Sequence, residues 1–389
     1  MHQRGDTQQG QALIRLALEA GANIPSRYND LGNILCEVGD LQNAAEAFRA
    51  SLMRADDDAN VWNNLASVLH RQLDFQNAED AYRKGIECNR DFVPALKNLA
   101  ALLAETGRED EASLYWCRAF ILPPLPGKPS QMLGVAYYRL GRIAEAAECY
   151  REWLRTEPGN AIAQHYLAAC TGQDVPSRAP DTFVKAVFDD QAENFDEKLV
   201  RKLSYRGPEI ITKLLEGMVE AEGKLDVLDG GCGTGLCGPA LAPYAARLFG
   251  VDLSAAMLAK AGTYNLYGEL AEAELTAYLL QRKRAFDLVA MADTLIYFGD
   301  MADLFAAVAE SLRPGGLFAF TAERVADATP EVDFHLGPSG RYLHSRQYLA
   351  ELLAAKGFAL LRDEDVVLRN EFCRPVVGVG MLARLRHQR

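Results

Sequence analysis

The sequence predicts two unlike halves. The first is an all-α superhelix of repeated helical hairpins; the second is an α/β domain on a mostly parallel seven-stranded sheet closed by an antiparallel C-terminal hairpin. Three observations carry this. A period of 34 residues runs through the first half. Short apolar, β-rich runs alternate with helical patterns in the second. The last two of those runs leave no room for a helix between them, so they pair antiparallel.

Windows starting at Pro25, Ala59, Val93 and Gly127 align position by position. The seventh position holds Leu31, Leu65, Leu99 and Leu133, and the eighth holds Gly32, Ala66, Ala100 and Gly134. The fifteenth, where two helices of about a dozen residues turn, holds Gly39, Leu73, Gly107 and Gly141. The twentieth is Ala44, Ala78, Ala112 and Ala146; the twenty-fourth is Phe48, Tyr82, Trp116 and Tyr150. Small residues let the helices approach, and the large ones fill the space between neighbours. One hairpin cannot bury its apolar stripe alone, so hairpins stack. The pattern resembles the tetratricopeptide repeat. A repeat domain is expected over 1–171, with repeats at about 25–58, 59–92, 93–126 and 127–160 and a capping helix at 161–170. Leu13, Ile14 and Ala17 suggest a degenerate half-repeat before the first.

In such repeats the first helix of each hairpin lines the concave face. Its sixth position reads Asp30, Asn64, Asn98 and Met132, with Asn29, Asn33 and Asn63 close by. Stacked amides each offer a donor and an acceptor to a peptide backbone. Asp30, Asn33, Asn64 and Asn98 are therefore the expected peptide-binding residues. The plainer reading is that asparagine tolerates an exposed, inter-repeat position.

Residues 172–182, rich in Pro, Ser and polar side chains, read as a linker, leaving 183–389 for the second domain. Its strand-like runs are 225–229, 247–252, 270–274, 286–292 and 316–321, then 358–368 and 375–385. The chemistry is expected in the first of them. Val227-Leu228-Asp229-Gly230-Gly231-Cys232-Gly233-Thr234-Gly235 is a strand entering a glycine-rich turn, with a helix starting near Leu236. Glycines let a backbone pass close to a ligand, and a helix N-terminus favours an anion. Asp252 ends the second run, where an acid can accept both hydroxyls of a ribose.

A glycine-rich turn alone also fits nicotinamide and flavin enzymes. Three features narrow it: Asp229 directly before the glycines, the Leu312-Arg313-Pro314-Gly315-Gly316 turn before the fifth strand, and the closing hairpin. Together they resemble the Rossmann-like class I S-adenosylmethionine-dependent methyltransferases, over roughly 183–385. The whole arrangement resembles bacterial proteins that fuse tetratricopeptide repeats to such a domain. The resemblance implies S-adenosyl-L-methionine as cofactor. It implies that Asp229, Gly231, Gly233 and Gly235, with Cys232 in the same turn, hold the methionine moiety, and that Asp252 holds the ribose. Leu253 and Met257 would flank the adenine, Glu274 and the Leu275 backbone would meet its amino group, and Asp293 would line the pocket near the methyl group. Gly230 departs from the leucine usual in relatives, and Gln191 stands where an aromatic residue is expected. Cys232 and Cys237 read as packing residues rather than nucleophiles.

The insertion Asp333-Phe334-His335-Leu336-Gly337-Pro338-Ser339-Gly340-Arg341-Tyr342-Leu343-His344-Ser345 follows the fifth strand. Loops there line the ligand crevice of a doubly wound sheet. A similar Gly-Arg-aromatic-x-His-Ser string occurs in the fused methyltransferases. Arg341 is expected to bind a carboxylate, His344 to act as a base, and Tyr297 to line the pocket. The plainer readings are an ion pair for Arg341, a helix cap for His344 and core packing for Tyr297. After the fourth strand the chain reads Asp293-Thr294-Leu295-Ile296, not Asn/Asp-Pro-Pro-aromatic. That argues against amine methylation of an adenine or glutamine by that route.

The formal net charge is −12 and neither half is basic, which lowers the expectation of a nucleic-acid partner. Eight cysteines show no Cys-x-x-Cys pair and no zinc spacing, so no metal site is expected. The first ten residues are polar, and no apolar run reaches the ~18 residues of a membrane helix. A soluble, cytoplasmic protein with no membrane partner is expected; its oligomeric state stays open. The expected function is methyl transfer to a protein or peptide recruited by the repeats. The alternatives are a small-molecule or sugar methyltransferase whose repeats serve assembly, and a non-catalytic scaffold.

Overall fold

The computed structural model describes residues 12, 24–189, 195, 196, 199, 203–325, 332–371 and 374–387. Leu13, Ile14, Ala17 and Gln191 lie outside them. The chain divides into two compact units, residues 1–142 and 143–389.

The first unit follows the 34-residue period. Its helices are α1 (Pro25–Glu37), α2 (Leu41–Leu52), α3 (Ala59–Arg71), α4 (Phe75–Cys88), α5 (Val93–Glu105), α6 (Glu109–Phe120) and α7 (Ser130–Arg139). Asp40, Asp58 and Asp74 cap α2, α3 and α4 by accepting N–H bonds from Asn43, Asn60 and Asn77. The turn glycines Gly39, Gly107 and Gly141 have φ of 83°, 79° and 73°. Leu73 takes the same left-handed conformation at φ 63° without a glycine's freedom. Leu31, Leu65, Leu99, Ala44, Ala78, Ala112, Phe48 and Tyr82 are buried in one continuous core. Trp116 departs from the pattern: it is 44% exposed, and its neighbour Tyr115 packs against the core instead.

The second unit opens with α8 (Ile143–Thr156) and α9 (Ala161–Thr171), where Tyr150 stacks on Tyr166 at 5.4 Å. Next come α10 (Asp181–Asp189) and α11 (Gly207–Leu215). The sheet then forms from β1 (Leu225–Gly230), β2 (Ala245–Asp252), β3 (Glu269–Glu272), β4 (Phe286–Met291) and β5 (Leu312–Glu323). A short ribbon, β6 (Phe334–Leu336) with β7 (Tyr342–His344), stands apart from it. The long strands β8 (Phe358–Glu371) and β9 (Arg374–Leu385) close the chain. Sheet order is β3-β2-β1-β4-β5-β9-β8. The first five are parallel, β9 runs antiparallel to β5, and β8 antiparallel to β9. This is the mostly parallel sheet with a closing hairpin that the sequence predicts.

Successive strand residues face opposite sides, so each side has its own core. Leu228, Val289, Met291, Phe318 and Phe320 pack under α14 (Leu275–Leu280), α15 (Ala302–Ser311) and α16 (Arg346–Ala355). Val227, Leu288, Ala290, Leu317 and Ala319 pack under α11 and α12 (Gly238–Leu241). Between β2 and β3 lies α13 (Ala255–Thr263).

The segment expected to be a linker is built into the second unit. The Ser177 carbonyl accepts N–H bonds from Gly299 at 2.8 Å and Asp300 at 2.9 Å, and Ala179 N–H donates to the Tyr297 carbonyl at 2.8 Å. Tyr342 Oη donates to the Pro176 carbonyl at 2.7 Å. Pro- and Ser-rich composition reports poor helix propensity but says nothing of tertiary partners for the carbonyls. The division into units falls at Arg142/Ile143, so α8 and α9 group with the sheet.

A Cβ at Gly32 would lie 2.5 Å from the fully buried Phe48 ring. Gly32→Ala is therefore expected to destabilise the repeat unit by ~1–3 kcal/mol, read as a lowered urea midpoint. An unchanged midpoint would contradict this account of the hairpin packing.

Candidate active site

At the carboxyl end of β1 the chain turns through Gly231, Gly233 and Gly235, all at positive φ. The turn is tied to β2: the Val251 carbonyl accepts the N–H bonds of Gly231 at 2.8 Å and Cys232 at 3.0 Å. The three glycines differ in what surrounds them. A Cβ at Gly231 would sit 2.5 Å from Thr294 Oγ1, which itself donates to the Gly230 carbonyl at 2.8 Å. A Cβ at Gly235 would meet Ala261 at 3.1 Å, whereas one at Gly233 would meet nothing within 4 Å. The turn is packed at both ends and open in the middle.

Asp252 stands against that opening. Its Oδ2 accepts the Gly233 N–H at 2.9 Å and its Oδ1 the Ser254 N–H at 2.9 Å. A carboxylate has about four acceptor positions, and the Leu253 N–H also acts on this one, so room for a further donor remains. Burial raises the Asp252 pKa, and those backbone N–H groups oppose the rise. Asp229 is 2% exposed and accepts the Tyr267 hydroxyl at 2.7 Å; burial pushes its carboxyl up to about 7. The Tyr267 ring lies close to Gly235, Gly238 and Gly250. Asp229 thus acts on the turn through a tyrosine that sequence reasoning missed. Burial also raises the Cys232 thiol, which keeps it protonated.

Leu253 and Tyr297 join one apolar cluster with Phe188 of α10, and the Phe188 and Tyr297 rings meet edge to face at 5.6 Å. Asp189 accepts the Ser254 hydroxyl at 2.6 Å, and Lys185 pairs with Glu272 at 2.8 Å, so α10 is fastened over the end of β2. Met257 is buried beneath the start of α13. Leu275 is buried, and β3 stops at Glu272, short of the expected 274. The reason is local: Glu274 caps α14, accepting N–H bonds from Thr276 at 3.1 Å and Ala277 at 2.8 Å.

Beyond β4, β5 and β8 lies a buried group of charges. Arg369 is 1% exposed; its Nη1 donates to both Asp293 oxygens at 2.8 Å and its Nε to Glu371 at 2.7 Å. Its Nη2 donates to Glu323. Arg341 pairs with Glu371 and lies 3.8 Å from Glu323. Burial pushes the Glu371 carboxyl up, but the two guanidinium groups outweigh it and hold it down at about 2. Burial wins at Glu323, whose pKa is raised. Burial likewise pushes the Tyr297 hydroxyl up to about 12, against the pull of Arg341. Asp293 and Arg341 were legible from sequence; Glu323, Arg369 and Glu371 were not. The available signal was charge at the end of β-rich runs, as in Phe318-Ala319-Phe320-Thr321-Ala322-Glu323 and Val366-Val367-Leu368-Arg369-Asn370-Glu371.

Residues 227–316 match the family described as Methyltransferase domain, and residues 29–91 and 132–170 match the family described as Tetratricopeptide repeat. The chain combines tetratricopeptide repeats with a methyltransferase domain. The methyltransferase match spans the glycine turn, Asp252, Asp293 and Tyr297. The similar solved structures include three methyltransferases. An S-adenosylmethionine-dependent methyltransferase from Mesorhizobium loti is 27% identical, covers 44% of this chain and 95% of its own, and has a TM-score of 0.36. The magnesium protoporphyrin IX methyltransferase of Synechocystis PCC 6803, with bound SAH, is 17% identical, covering 53% and 100%, with a TM-score of 0.41. A 1,6-didemethyltoxoflavin-N1-methyltransferase of Burkholderia thailandensis is 19% identical, covering 55% and 93%, with a TM-score of 0.42. No curated protein matches. Among the described residues, no helix is long and apolar enough to cross a membrane.

Within the methyltransferase domain, the expectation of a catalytic base at His344 needs correction. Its side chain is 0% exposed, lies beside the Phe334 and Tyr348 rings, and Nε2 bonds the Gly299 carbonyl at 3.2 Å. A carbonyl only accepts, so Nε2 carries the proton; Nδ1 is buried without a partner. A ring enclosed in this way has no face to offer an acceptor. Nor does it cap α16; Ser345 does, accepting the Tyr348 N–H at 3.0 Å. In the repeat unit, Asp30 and Asn33 are exposed. Asn64 Nδ2 donates to Asn29 and Asn33, each at 3.2 Å, and Asn98 Nδ2 to Asn63 at 3.0 Å. The asparagines form a row knit together from helix to helix.

Burial holds His344 down to about 4, below its ordinary 6.5. The folded state therefore favours the neutral ring: its stability contribution is complete above pH 6.5 and is lost as pH falls toward 4. The loss is on the order of 3 kcal/mol. His165 is shifted the same way, so the comparison is with His344→Gln. Urea unfolding at pH 7 and pH 4.5 should show a smaller acid-induced fall in the variant. Equal falls would contradict the assignment.

Proposed function

We propose that this protein is an S-adenosylmethionine-dependent methyltransferase whose repeats bring it a protein or peptide acceptor. One observation supports the cofactor: within the matched methyltransferase domain, a glycine turn open at Gly233 faces a carboxylate with an acceptor position to spare. The cofactor is S-adenosyl-L-methionine. Asp252 accepts its ribose hydroxyls, the turn around Gly233 holds its methionine part, and Leu253 packs against its base. Bound there, it supplies an electrophilic methyl group on a sulfonium.

The chain's own part is orientation and charge. Arg369 holds the Asp293 carboxylate in a fixed direction beyond β4 through two bonds of 2.8 Å. Alignment of this kind makes up much of what an enzyme contributes to an in-line displacement. Asp293, at 16% side-chain exposure, is more open than Glu323 at 7%, and it pairs with Arg369 alone where Glu371 serves both arginines. It takes the proton of an amine or hydroxyl acceptor, the role sequence reasoning gave to His344. Two arginines against three carboxylates leave the group one negative charge in excess when all are ionised, which favours a cation beside it.

The protein-acceptor reading rests on the asparagine row in the repeats. Both amide hydrogens of Asn64 serve other asparagines, so the row would offer a peptide its carbonyl oxygens. That same commitment favours the rival reading, a small-molecule acceptor with repeats used for assembly.

Asp252→Ala removes the charged acceptor for the ribose. S-adenosylmethionine affinity should fall by ~5–150-fold, or ~1–3 kcal/mol, while NAD binds neither protein. Calorimetry that finds tight NAD binding, or unchanged S-adenosylmethionine affinity in the variant, would overturn the cofactor assignment.

A further inference from the structure

Arg341 reaches the buried charge group from a loop, and a loop does not by itself hold a guanidinium in place. The loop is the turn between β6 and β7, closed by Gly337 N–H to the Arg341 carbonyl at 2.8 Å and Gly340 N–H to the Gly337 carbonyl at 2.9 Å. Its outer support comes from far back in the sequence. His165, on α9, is 2% exposed, and its Nε2 bonds the Gly340 carbonyl at 2.8 Å. That carbonyl belongs to the peptide group that begins Arg341. Because a carbonyl only accepts, Nε2 is the protonated nitrogen; Nδ1 is buried with no partner. Leaving a buried nitrogen unsatisfied is unfavourable, so the other nitrogen's bond has to compensate for it.

Gly340 is shaped for this contact. Its φ is +79°, and a Cβ there would lie 2.9 Å from the Tyr166 ring and 3.5 Å from His165. Phe183 closes over the other side of His165, with ring centroids 4.0 Å apart. A second set of bonds runs in parallel: Tyr342 Oη to the Pro176 carbonyl at 2.7 Å, and Gly299 N–H to the Ser177 carbonyl at 2.8 Å. Residues 165–179 therefore grip both the loop that bears Arg341 and the segment that bears Tyr297.

We infer that His165 is a positioning residue for methyl transfer: through the Gly340 carbonyl it sets Arg341 against Glu371 and Glu323, and so the charge group around Asp293. The helix that sequence assigns as the cap of the repeats is thereby a working part of the methyltransferase domain. The inference rests on the proposed methyltransferase function only for its activity readout; the structural coupling stands apart from it.

The test uses the full chain with two substitutions. His165→Leu removes the donor at similar bulk, and His165→Gln keeps an N–H donor. Hydrogen exchange at 337–344 should rise about tenfold or more in His165→Leu and stay within about threefold of wild type in His165→Gln. S-adenosylmethionine affinity by calorimetry should stay within about twofold in both. Transfer of labelled methyl from S-adenosylmethionine to the acceptors of a cell lysate should fall at least tenfold in the leucine variant and recover with glutamine. Unchanged exchange at 337–344, or equal losses in both variants, would overturn the inference. Should His165→Leu not fold, His165→Phe removes the donor while keeping an aromatic ring against Phe183, and the same rise at 337–344 is required of it. A wild-type protein that binds no S-adenosylmethionine would sink the proposed function, while the exchange measurement would still decide the coupling.

Discussion

Arg369 is enclosed on every side, and a lone buried guanidinium would be destabilising by several kcal/mol. It is stable there because three carboxylates surround it: Asp293 after β4, Glu323 on β5 and Glu371 on β8. Much follows from that single charge. β8 is joined to the sheet only through β9, yet Arg369 brings it into register with the ends of β4 and β5. Asp293, at φ 58°, is gripped by both oxygens in a conformation that an aspartate adopts at some strain. Arg341 then completes the group from outside, sharing Glu371 with Arg369.

Two buried histidines extend this order to the surrounding loops by the same chemistry. His165 and His344 each bond a glycine carbonyl through Nε2, and each leaves Nδ1 without a partner. One fixes the peptide before Arg341 and the other the segment after Tyr297. A histidine in a motif is easily read as a base. Here the neutral ring, kept from charging by burial, serves as a rigid donor with bulk. In the proposed function the proton goes to the Asp293 carboxylate instead.

What the sequence made legible was whatever repeats or follows a local rule. The 34-residue period placed Leu65, Ala78 and Tyr82, because stacking hairpins bury the same positions each time. The glycine turn and Asp252 were legible because close backbone approach and a strand-end acid both leave local traces. Trp116 broke the period because Tyr115, one residue before it, packs against the core in its stead. Glu274 was read as a strand end, but the short helix after β3 takes it as a cap. Arg369, Glu371 and Tyr267 were silent, since each matters through a partner distant in sequence: Asp293 lies 76 residues from Arg369, and Asp229 lies 38 from Tyr267. The segment 172–182 misled for the same reason, its carbonyls being used by residues near 299 and 342.

The proposed function joins a methyltransferase domain to recruitment of a peptide by the row of asparagines, and one measurement tests that union most directly. The full chain and its Asn64→Ala/Asn98→Ala variant are each incubated with S-adenosylmethionine carrying a labelled methyl group and with a lysate, and the label is partitioned between protein and small molecules. Label on protein is expected with the full chain. A steep loss of that label is expected in the variant through a raised KM, with cofactor affinity intact. Label confined to small molecules, or equal protein labelling by both chains, would contradict the proposed function.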